Sequence, residues 1–256
     1  MDIYFGTILV EPHRWKDAPP ATLASVWIDR ALAAGFDGIE LWERHFLACP
    51  PGEQSLLAAR AGKVRVYNSY ARFDAASAVA RTESMAGCAR FGAGVRGVKF
   101  NLGRPPSDPG PEIAEAAQFL DALPDGVGGW CECHEGTHLE KPDAAAVAFA
   151  GWGLKSAAIL HPVGMSADRM RAWFDAAQNR VAHLHLQARG PEGRFTSIRN
   201  RPAEVQAAFE RLRTLGFAGS ATIEFATGVA TPDEDPARVF EQAVADLAFL
   251  RREVGA

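Results

Sequence analysis

The chain has 256 residues, of which 48% are hydrophobic and 23% are charged, a composition typical of folded globular proteins. Its 27 basic and 31 acidic residues give a net charge of −4, which offers no general attraction for nucleic acid or for an anionic membrane. Four cysteines in a chain of this length do not make a disulfide framework. The first residues lack the apolar core of a signal peptide, and no stretch reaches the roughly 18 apolar residues of a membrane span. We therefore expect a cytoplasmic protein that binds neither nucleic acid nor membrane.

Short apolar runs alternate with segments of helical spacing along the whole chain. The predicted strands are, in chain order, 3–10, 36–42, 64–69, 94–101, 127–138, 156–161, 180–187 and 220–225. The helices that follow them are 21–34, 54–61, 75–91, 111–123, 143–152, 166–178, 202–215 and 236–252. Gly35 and Gly216 stand just beyond two of the helices, where glycine is favoured. Ser166 is the predicted N-cap of the helix that follows it.

Eight strand–helix units in about 250 residues predict a single (β/α)8 TIM barrel, in the α/β class. An open doubly wound sheet is the competing architecture. It usually has fewer strands, and no G-x-G-x-x-G follows the first strand to support a dinucleotide site. No internal repeat, low-complexity run or linker divides the chain, so we expect one domain over residues 1–256.

Polar residues gather near the C-terminal ends of the predicted strands, where TIM-barrel active sites lie. They are Glu40, Trp42, His45, Asn68, Ser69, Lys99, Asn101, Glu132, His134, His161, His183, His185, Gln187 and Glu224. Six of the seven histidines lie within a few residues of a predicted strand end, and only His13 needs the first loop to bring it near. We expect His183 to be a structural histidine one layer below His185.

Carboxylates and imidazoles that converge from strands five to eight are best explained by a divalent metal, because buried like charges are costly without a cation. Two carboxylates with two imidazoles suit Mn, Zn, Co or Fe better than Ca or Mg. Side chains alternate along a strand, so Glu132 and His134 share one face. Cys131 and Cys133 share the other face, and we expect them to point towards the helices rather than to bind metal.

Four segments carry a family resemblance: GFDGIELWERH (35–45), ECHEGT (132–137), VAHLHLQ (181–187) and GFAGSATIEF (216–225). With them the chain resembles the xylose isomerase-like TIM barrels, the superfamily of sugar and sugar phosphate isomerases and epimerases that also contains AP endonucleases. The order and spacing of the segments cover nearly the whole chain. The match is specific for the superfamily and weak for the substrate.

The resemblance places Glu132, His185 and Glu224 at three of the four metal-ligand positions of that superfamily. The fourth is an Asp followed by Pro, and this sequence has His161 there. An imidazole can replace a carboxylate as a ligand, and the site would carry one negative charge less, favouring a softer metal or a more anionic substrate. Two further departures concern substrate contacts: Gly164 replaces the histidine of the D-x-x-H motif, and Gln187 replaces the lysine that follows H-x-H.

The implied activity is a metal-dependent isomerase or epimerase that acts on a sugar or sugar derivative through an enediolate. Glu132 and Glu224 are the expected proton carriers as well as ligands.

The expected substrate-binding residues are Glu40, Trp42, Asn68, Lys99, His134 and Arg189. Trp42 is either a stacking wall for a sugar or a core residue, and Lys99 reaches either a substrate oxygen or an internal carboxylate. The four arginines of 189–201 form either a lid for an acidic or phosphorylated sugar or solvated surface charge.

Three alternatives stay open at this point. A dehydratase or lyase would use the same metal and enolate chemistry on a keto-sugar or sugar acid with a β-leaving group. A phosphodiesterase similar to the AP endonucleases needs more metal ligands than the sequence offers. It also needs a basic groove, which a net charge of −4 does not indicate. A non-catalytic sugar-binding barrel is suggested by the altered ligand at His161. The expected partner is a small-molecule carbohydrate, and the resemblance leaves a homodimer open.

Overall fold

Eight parallel strands form a closed barrel in the computed structural model of the chain, which describes residues 1–105, 108–190 and 192–255. The described residues form ten strands: β1 (Ile3–Gly6), β2 (Gly38–Trp42), β3 (Val64–Asn68), β4 (Gly97–Phe100), β5 (Gly128–Glu132), β6 (Ser156–Leu160), β7 (Val181–Leu186), β8 (Ala188–Arg189), β9 (Phe195–Thr196) and β10 (Ser220–Ile223). All except β8 and β9 belong to the barrel. Around the barrel the order is β1-β10-β7-β6-β5-β4-β3-β2, while β8 and β9 form a separate antiparallel hairpin. The predicted TIM barrel is confirmed.

Helices connect the barrel strands and cover them. They are α1 (Ala24–Ala33), α2 (Arg44–Leu47), α3 (Pro51–Ala58), α4 (Ala78–Ala89), α5 (Pro109–Ala122), α6 (Pro142–Trp152), α7 (Ala167–Ala176), α8 (Pro202–Thr214) and α9 (Pro236–Glu253). The Ser166 side chain accepts a hydrogen bond from the backbone N–H of Arg169, as expected for the N-cap of α7. No helix in the described ranges is both long and apolar enough to cross a membrane.

The predicted first strand was too long. It ends at Gly6, and Thr7–Val10 forms a buried 3-10 turn instead. A continuous apolar run is compatible with a buried turn as well as with a strand, so periodicity could not separate them. The hydroxyl of Thr7 accepts a hydrogen bond from the backbone N–H of Trp42 at 2.9 Å, which ties this turn to β2.

The inside of the barrel is filled below the site by its own small core of Tyr4, Val66, Trp130 and Ile159. The ring of His183 stacks between Tyr4 and Trp130, with centroids 5.8 and 5.5 Å away. Gly97 makes room for this layer, because a Cβ there would lie 2.2 Å from the Trp130 ring. This packing leaves the C-terminal ends of the strands as the place for a pocket.

A larger core lies between the strands and the helices. Cys131 and Cys133 belong to it, so both point away from the barrel axis as expected. Both are free thiols.

Candidate metal centre

Four side chains from adjacent strands converge at the C-terminal end of the barrel. Glu132 ends β5, His161 follows β6, His185 lies near the end of β7, and Glu224 follows β10. One donor atom from each lies within 4.8 Å of the donor atoms of the other three. The structure therefore brings together the four residues that the resemblance implied as ligands. We call these four residues the metal centre.

The carboxylates and imidazoles of the metal centre are in direct contact. Oε1 of Glu132 lies 2.9 Å from Nε2 of His161 and 2.7 Å from Nδ1 of His185. The same Nδ1 of His185 lies 3.3 Å from Oε1 of Glu224. Both glutamates are 4% exposed and His185 is completely buried. Two ionised carboxylates buried this close together repel each other strongly unless a positive charge lies between them.

Local electrostatics make the two glutamates unequal. Burial would raise the pKa of Glu132, but the positive charges of Lys99 and His185 hold it well below its ordinary value. Burial raises the pKa of Glu224 to about 7, because the attraction of His185 offsets burial only in part and the negative charge of Glu132 adds to the shift. Burial would lower the pKa of His185, but the negative charges of Glu224, Glu40 and Glu132 raise it well above its usual value.

The donor set fits a divalent cation. Two imidazole nitrogens with two carboxylates are ligands that suit Mn, Zn, Co and Fe. Nε2 of His185 lies 3.1 Å from the Glu40 carboxylate, so its Nδ1 is the nitrogen that faces the metal centre. An imidazole that gives its outer N–H to a carboxylate is the usual arrangement for a metal-binding histidine. Buried His and Glu side chains of this chain can therefore hold a metal ion.

Glu40 is the centre of a polar layer beneath the metal centre. Its carboxylate accepts a hydrogen bond from Nδ2 of Asn68 at 2.6 Å and lies 3.2 Å from Nε2 of His183. Nδ1 of His183 lies 2.8 Å from the Ser220 hydroxyl. Burial would raise the pKa of Glu40, but His185 and His183 hold it below its ordinary range. His183 thus lies one layer below His185, with both ring nitrogens partnered.

Three of the expected substrate contacts lie away from the cavity, contrary to the sequence-based expectation. Glu40, Trp42 and Asn68 are at most 1% exposed, and none of them lines the cavity above the metal centre. The Trp42 ring packs edge-on against His45 and Tyr70, so of its two proposed roles the core role holds. The periodic pattern placed these residues at strand ends correctly, but it could not tell how deep below the opening each strand end lies.

A cavity of about 750 Å³ opens above the metal centre. Lys99, His134 and Arg189 line it, as expected of substrate-binding residues, and so do Glu132 and Glu224. The cavity therefore has the metal centre at its inner end and open solvent at the other.

Lys99 pairs with an internal carboxylate. Its Nζ lies 2.7 Å from Oε2 of Glu132 and 5.0 Å from the centre of the Tyr70 ring. His134 is farther out: its Nε2 lies 3.7 Å from Oε2 of Glu132, and its ring stacks on His161. Burial lowers the pKa of His134, which favours the neutral imidazole.

Two amide side chains reach the metal centre without having been assigned a role from the sequence. Nδ2 of Asn101 donates to Oε2 of Glu132 at 3.0 Å. Nε2 of Gln187 lies 2.6 Å from Nδ1 of His161 and donates to Oε2 of Glu224 at 3.3 Å. Both stand near strand ends, and Gln187 also departs from the superfamily pattern, so these two signals could have identified them.

One wall of the cavity is aromatic. Trp15 lies 6.2 Å from Phe195 and 5.8 Å from Phe225 between ring centroids, and Phe195 and Phe225 are 4.4 Å apart. The Trp15 side chain is 58% exposed. Because Trp15 belongs to the irregular first loop, no periodic pattern indicated its position; it lines the cavity, whereas Trp42 does not.

Only one of the four arginines of 189–201 lines the cavity. Arg189 does so, while the other three form ion pairs elsewhere: Arg199 with Asp246, Arg201 with Glu204 and Arg194 with Glu192. A lid built from all four arginines is therefore wrong for this structure.

Comparisons with known proteins give no match to a protein-family model or to a curated protein sequence. Solved structures do match. One is described as a xylose isomerase-like TIM barrel/4-hydroxyphenylpyruvate dioxygenase fusion protein, with 13% identity, a TM-score of 0.66, and coverage of 98% of this chain and 42% of that one. This chain therefore spans less than half the length of the fusion protein.

Two further structures have the same overall architecture. An uncharacterised protein from Parabacteroides distasonis is 12% identical, with a TM-score of 0.56 and 98% of both chains covered. YagE, a prophage protein of the dihydrodipicolinic acid synthase family from E. coli K12, is 14% identical, with a TM-score of 0.51 and coverage of 98% and 82%. At these identities the likeness shows the fold alone, which is the TIM barrel that the sequence predicted, and one of the similar structures is described as xylose isomerase-like.

Proposed function

We propose that this chain is a divalent-metal-dependent isomerase or epimerase that acts on a sugar or sugar derivative. The observation that carries the proposal is the set of four donor atoms within 4.8 Å, two from carboxylates, at the inner end of a substrate-sized cavity. A divalent cation bound there would polarise a substrate carbonyl and stabilise the negative charge that develops when the adjacent C–H bond breaks.

Glu224 is the carboxylate better suited to exchange a proton. Oε2 of Glu132 is held by Lys99 and Asn101, and its Oε1 contacts both imidazoles of the metal centre. In the described part of the chain, the Glu224 carboxylate has a hydrogen bond or ion pair only with Gln187 and His185. A carboxylate with fewer hydrogen-bond donors is more basic, which suits a proton carrier.

Glu132 acts as the second carboxylate in this proposal. One glutamate, in its ionised form, takes the proton from the carbon next to the carbonyl, and the other, in its protonated form, donates a proton. Donation to the opposite face of the same carbon gives the epimer. Donation to the former carbonyl carbon, with transfer of the hydroxyl proton to the former carbonyl oxygen, gives the aldose–ketose isomer. The aromatic wall of Trp15, Phe195 and Phe225 would cover one face of the substrate and exclude water from this step.

The proposal is tested by hydrogen exchange from solvent. The Mn²⁺-loaded protein is incubated in D2O with a panel of ketoses, and deuterium at the carbon next to the carbonyl is measured by mass spectrometry. We expect exchange with at least one ketose, and we expect Glu224→Gln to slow it by about 100-fold or more, as for loss of a general acid–base group. Glu135→Gln is the matched control, because Glu135 is an exposed glutamate of the neighbouring loop.

Two results would count against the proposal. Exchange that is as fast in Glu224→Gln as in the wild type, with the fold intact by circular dichroism, would remove Glu224 from proton transfer. Absence of exchange in the wild-type protein with every ketose would contradict the isomerase activity, and release of water from a keto-sugar or sugar acid would favour the dehydratase instead.

A further inference from the structure

The outer part of the cavity is positively charged. Arg72, Arg104 and Arg189 are exposed and line the cavity away from the metal centre, and we call these three residues the mouth. In the ranges that the structure describes, neither Arg72 nor Arg189 forms an ion pair with a carboxylate. Guanidinium groups that face a pocket without a carboxylate partner are available to an anionic ligand.

Two carboxylates, Asp74 and Glu112, also line the outer part of the cavity, and each accepts a hydrogen bond. Asp74 accepts a hydrogen bond from the Ser77 hydroxyl at 2.8 Å, and Glu112 accepts one from the backbone N–H of Gly103 at 2.7 Å. Glu132 is paired with Lys99. The three arginines of the mouth outnumber these two outer carboxylates, which leaves the outer part of the cavity with a net positive charge. Glu132 and Glu224 place negative charge at the metal centre, where a cation would neutralise it.

Arg189 is held in a defined position by the β8–β9 hairpin. Its guanidinium carbon lies 3.9 Å from the centre of the Phe195 ring, and its Nη1 donates to the backbone oxygen of Gly193 at 2.8 Å. Phe195 in turn packs on Trp15 and Phe225. Stacking and one hydrogen bond fix the plane of the guanidinium while leaving most of its five N–H groups for a ligand.

We propose that the mouth binds an anionic substituent, a carboxylate or a phosphate, of the substrate whose other end reaches the metal centre. The substrate is then an acidic sugar derivative rather than a neutral sugar. As a statement about substrate this rests on the proposed function, but anion binding at the mouth depends only on Arg72 and Arg189. Planar, fork-shaped guanidinium groups match the oxygens of both kinds of anion.

The test uses small anions that need no sugar stereochemistry. Sodium acetate and inorganic phosphate are titrated separately into the chelator-treated full-length protein at constant ionic strength, and the arginine Nε–H signals are followed by ¹⁵N NMR. We expect saturable shifts of the Arg72 and Arg189 signals with at least one anion. Saturation by acetate identifies a carboxylate site, saturation by phosphate identifies a phosphate site, and saturation by both identifies a general anion site.

Variants show whether the binding belongs to the mouth. We expect the double variant Arg72→Gln/Arg189→Gln to bind the anion at least about tenfold more weakly, as for loss of one charge-assisted hydrogen bond. Arg194→Gln is the matched control, because Arg194 is exposed on the same hairpin but does not line the cavity. The affinity of this control variant for the anion should equal that of the wild type.

Two outcomes would overturn the inference: no saturable shift with either anion, or saturable binding that the double variant leaves unchanged. Because the titration is done without metal or turnover, it is independent of the proposed isomerase activity. A protein that fails the deuterium test but binds phosphate at the mouth would retain this inference, and one that passes the deuterium test without binding anions would lose it.

Discussion

Glu132 has more polar partners than any other side chain discussed above, and this determines what each neighbour can do. Its Oε1 contacts His161 and His185, and its Oε2 contacts Lys99 and Asn101. Its removal would leave Lys99, which is 3% exposed, as a buried charge without its partner, at a high cost in folding free energy. Glu224 is therefore the carboxylate whose substitution reports on chemistry rather than on stability.

Gln187 is expected to position a metal ligand. Its amide lies 2.6 Å from Nδ1 of His161, so it orients the ring with Nε2 towards the metal centre. His161 follows β6 and its side chain is 24% exposed, and it also contacts Glu132 at Nε2 and the stacked ring of His134. Loss of such a supporting hydrogen bond typically weakens metal binding about 10- to 100-fold, and we expect this of Gln187→Ala.

Isothermal titration of the apoprotein with Mn²⁺ measures this effect. Gln118→Ala, at an exposed position of α5, is the control and should bind like the wild type. Equal affinities for Gln187→Ala and the wild type would show that the amide does not hold His161 in its binding position.

At the scale of elements, a buried carboxylate joins the first loop to α2. Glu11 accepts hydrogen bonds from the backbone N–H groups of His13, Ala21 and Thr22, and it lies 3.0 Å from Nε2 of His45. Burial alone would raise the pKa of Glu11, but the His45 contact and the backbone donors lower it to about 2. This loop also carries Trp15, so Glu11 supports one wall of the cavity.

The depressed pKa of Glu11 predicts a pH-dependent contribution to stability. Because the folded-state pKa lies below the unfolded one, the contribution is complete above the unfolded pKa, and it is lost as the pH falls towards about 2. A shift from 4.5 to about 2 corresponds to on the order of 3 kcal/mol. Glu11→Gln should therefore lower the free energy of unfolding at neutral pH, and its deficit should shrink as the pH falls.

Urea unfolding at about pH 7, about pH 5 and about pH 3 measures this difference between the wild type and the variant. Glu192→Gln, at a side chain that is 75% exposed, is the control and should follow the wild type at each pH. A deficit of Glu11→Gln that stays constant over this range would contradict the assignment.

Regular elements were predictable from the sequence because each has a period that its residues repeat. The barrel strands, α1 and the helices from α3 onward follow the predicted order, and most of their ends differ by a few residues. The predicted fifth strand, 127–138, was too long, because β5 ends at Glu132 and the chain then turns. The helix α2, with four residues, and the β8–β9 hairpin, with two residues in each strand, are too short to show a period. The hairpin nevertheless forms part of the cavity wall, since Arg189 and Phe195 both line the cavity.

One physical reason explains which of the expected site residues lie together and which do not. Strand ends place side chains around the barrel, so Glu132, His161, His185 and Glu224 were predicted to converge, and they do. Depth along the axis depends on packing in the barrel interior, which no local pattern reports. Trp42 was therefore expected in the cavity that Trp15 lines.

For the whole molecule, the barrel axis separates three layers of different chemistry. The aromatic layer around His183 fills the lower part, the metal centre with Glu40 beneath it lies above, and the mouth faces solvent. The carboxylates of the metal centre are buried, where a bound cation would neutralise them. The arginines of the mouth are exposed, where an anion from solvent can reach them. With this order along one axis, a net charge of −4 is compatible with the proposed binding of an anion at the mouth.

The central claim is that Glu132, His161, His185 and Glu224 hold one divalent cation. The most direct test is pulsed electron paramagnetic resonance of the protein loaded with one equivalent of Mn²⁺, which detects nitrogen nuclei bound to the metal. We predict couplings from two imidazole nitrogens in the wild type and from one in His161→Gln, with Glu135→Gln unchanged. A spectrum with no nitrogen coupling, or one that His161→Gln does not alter, would contradict the claim.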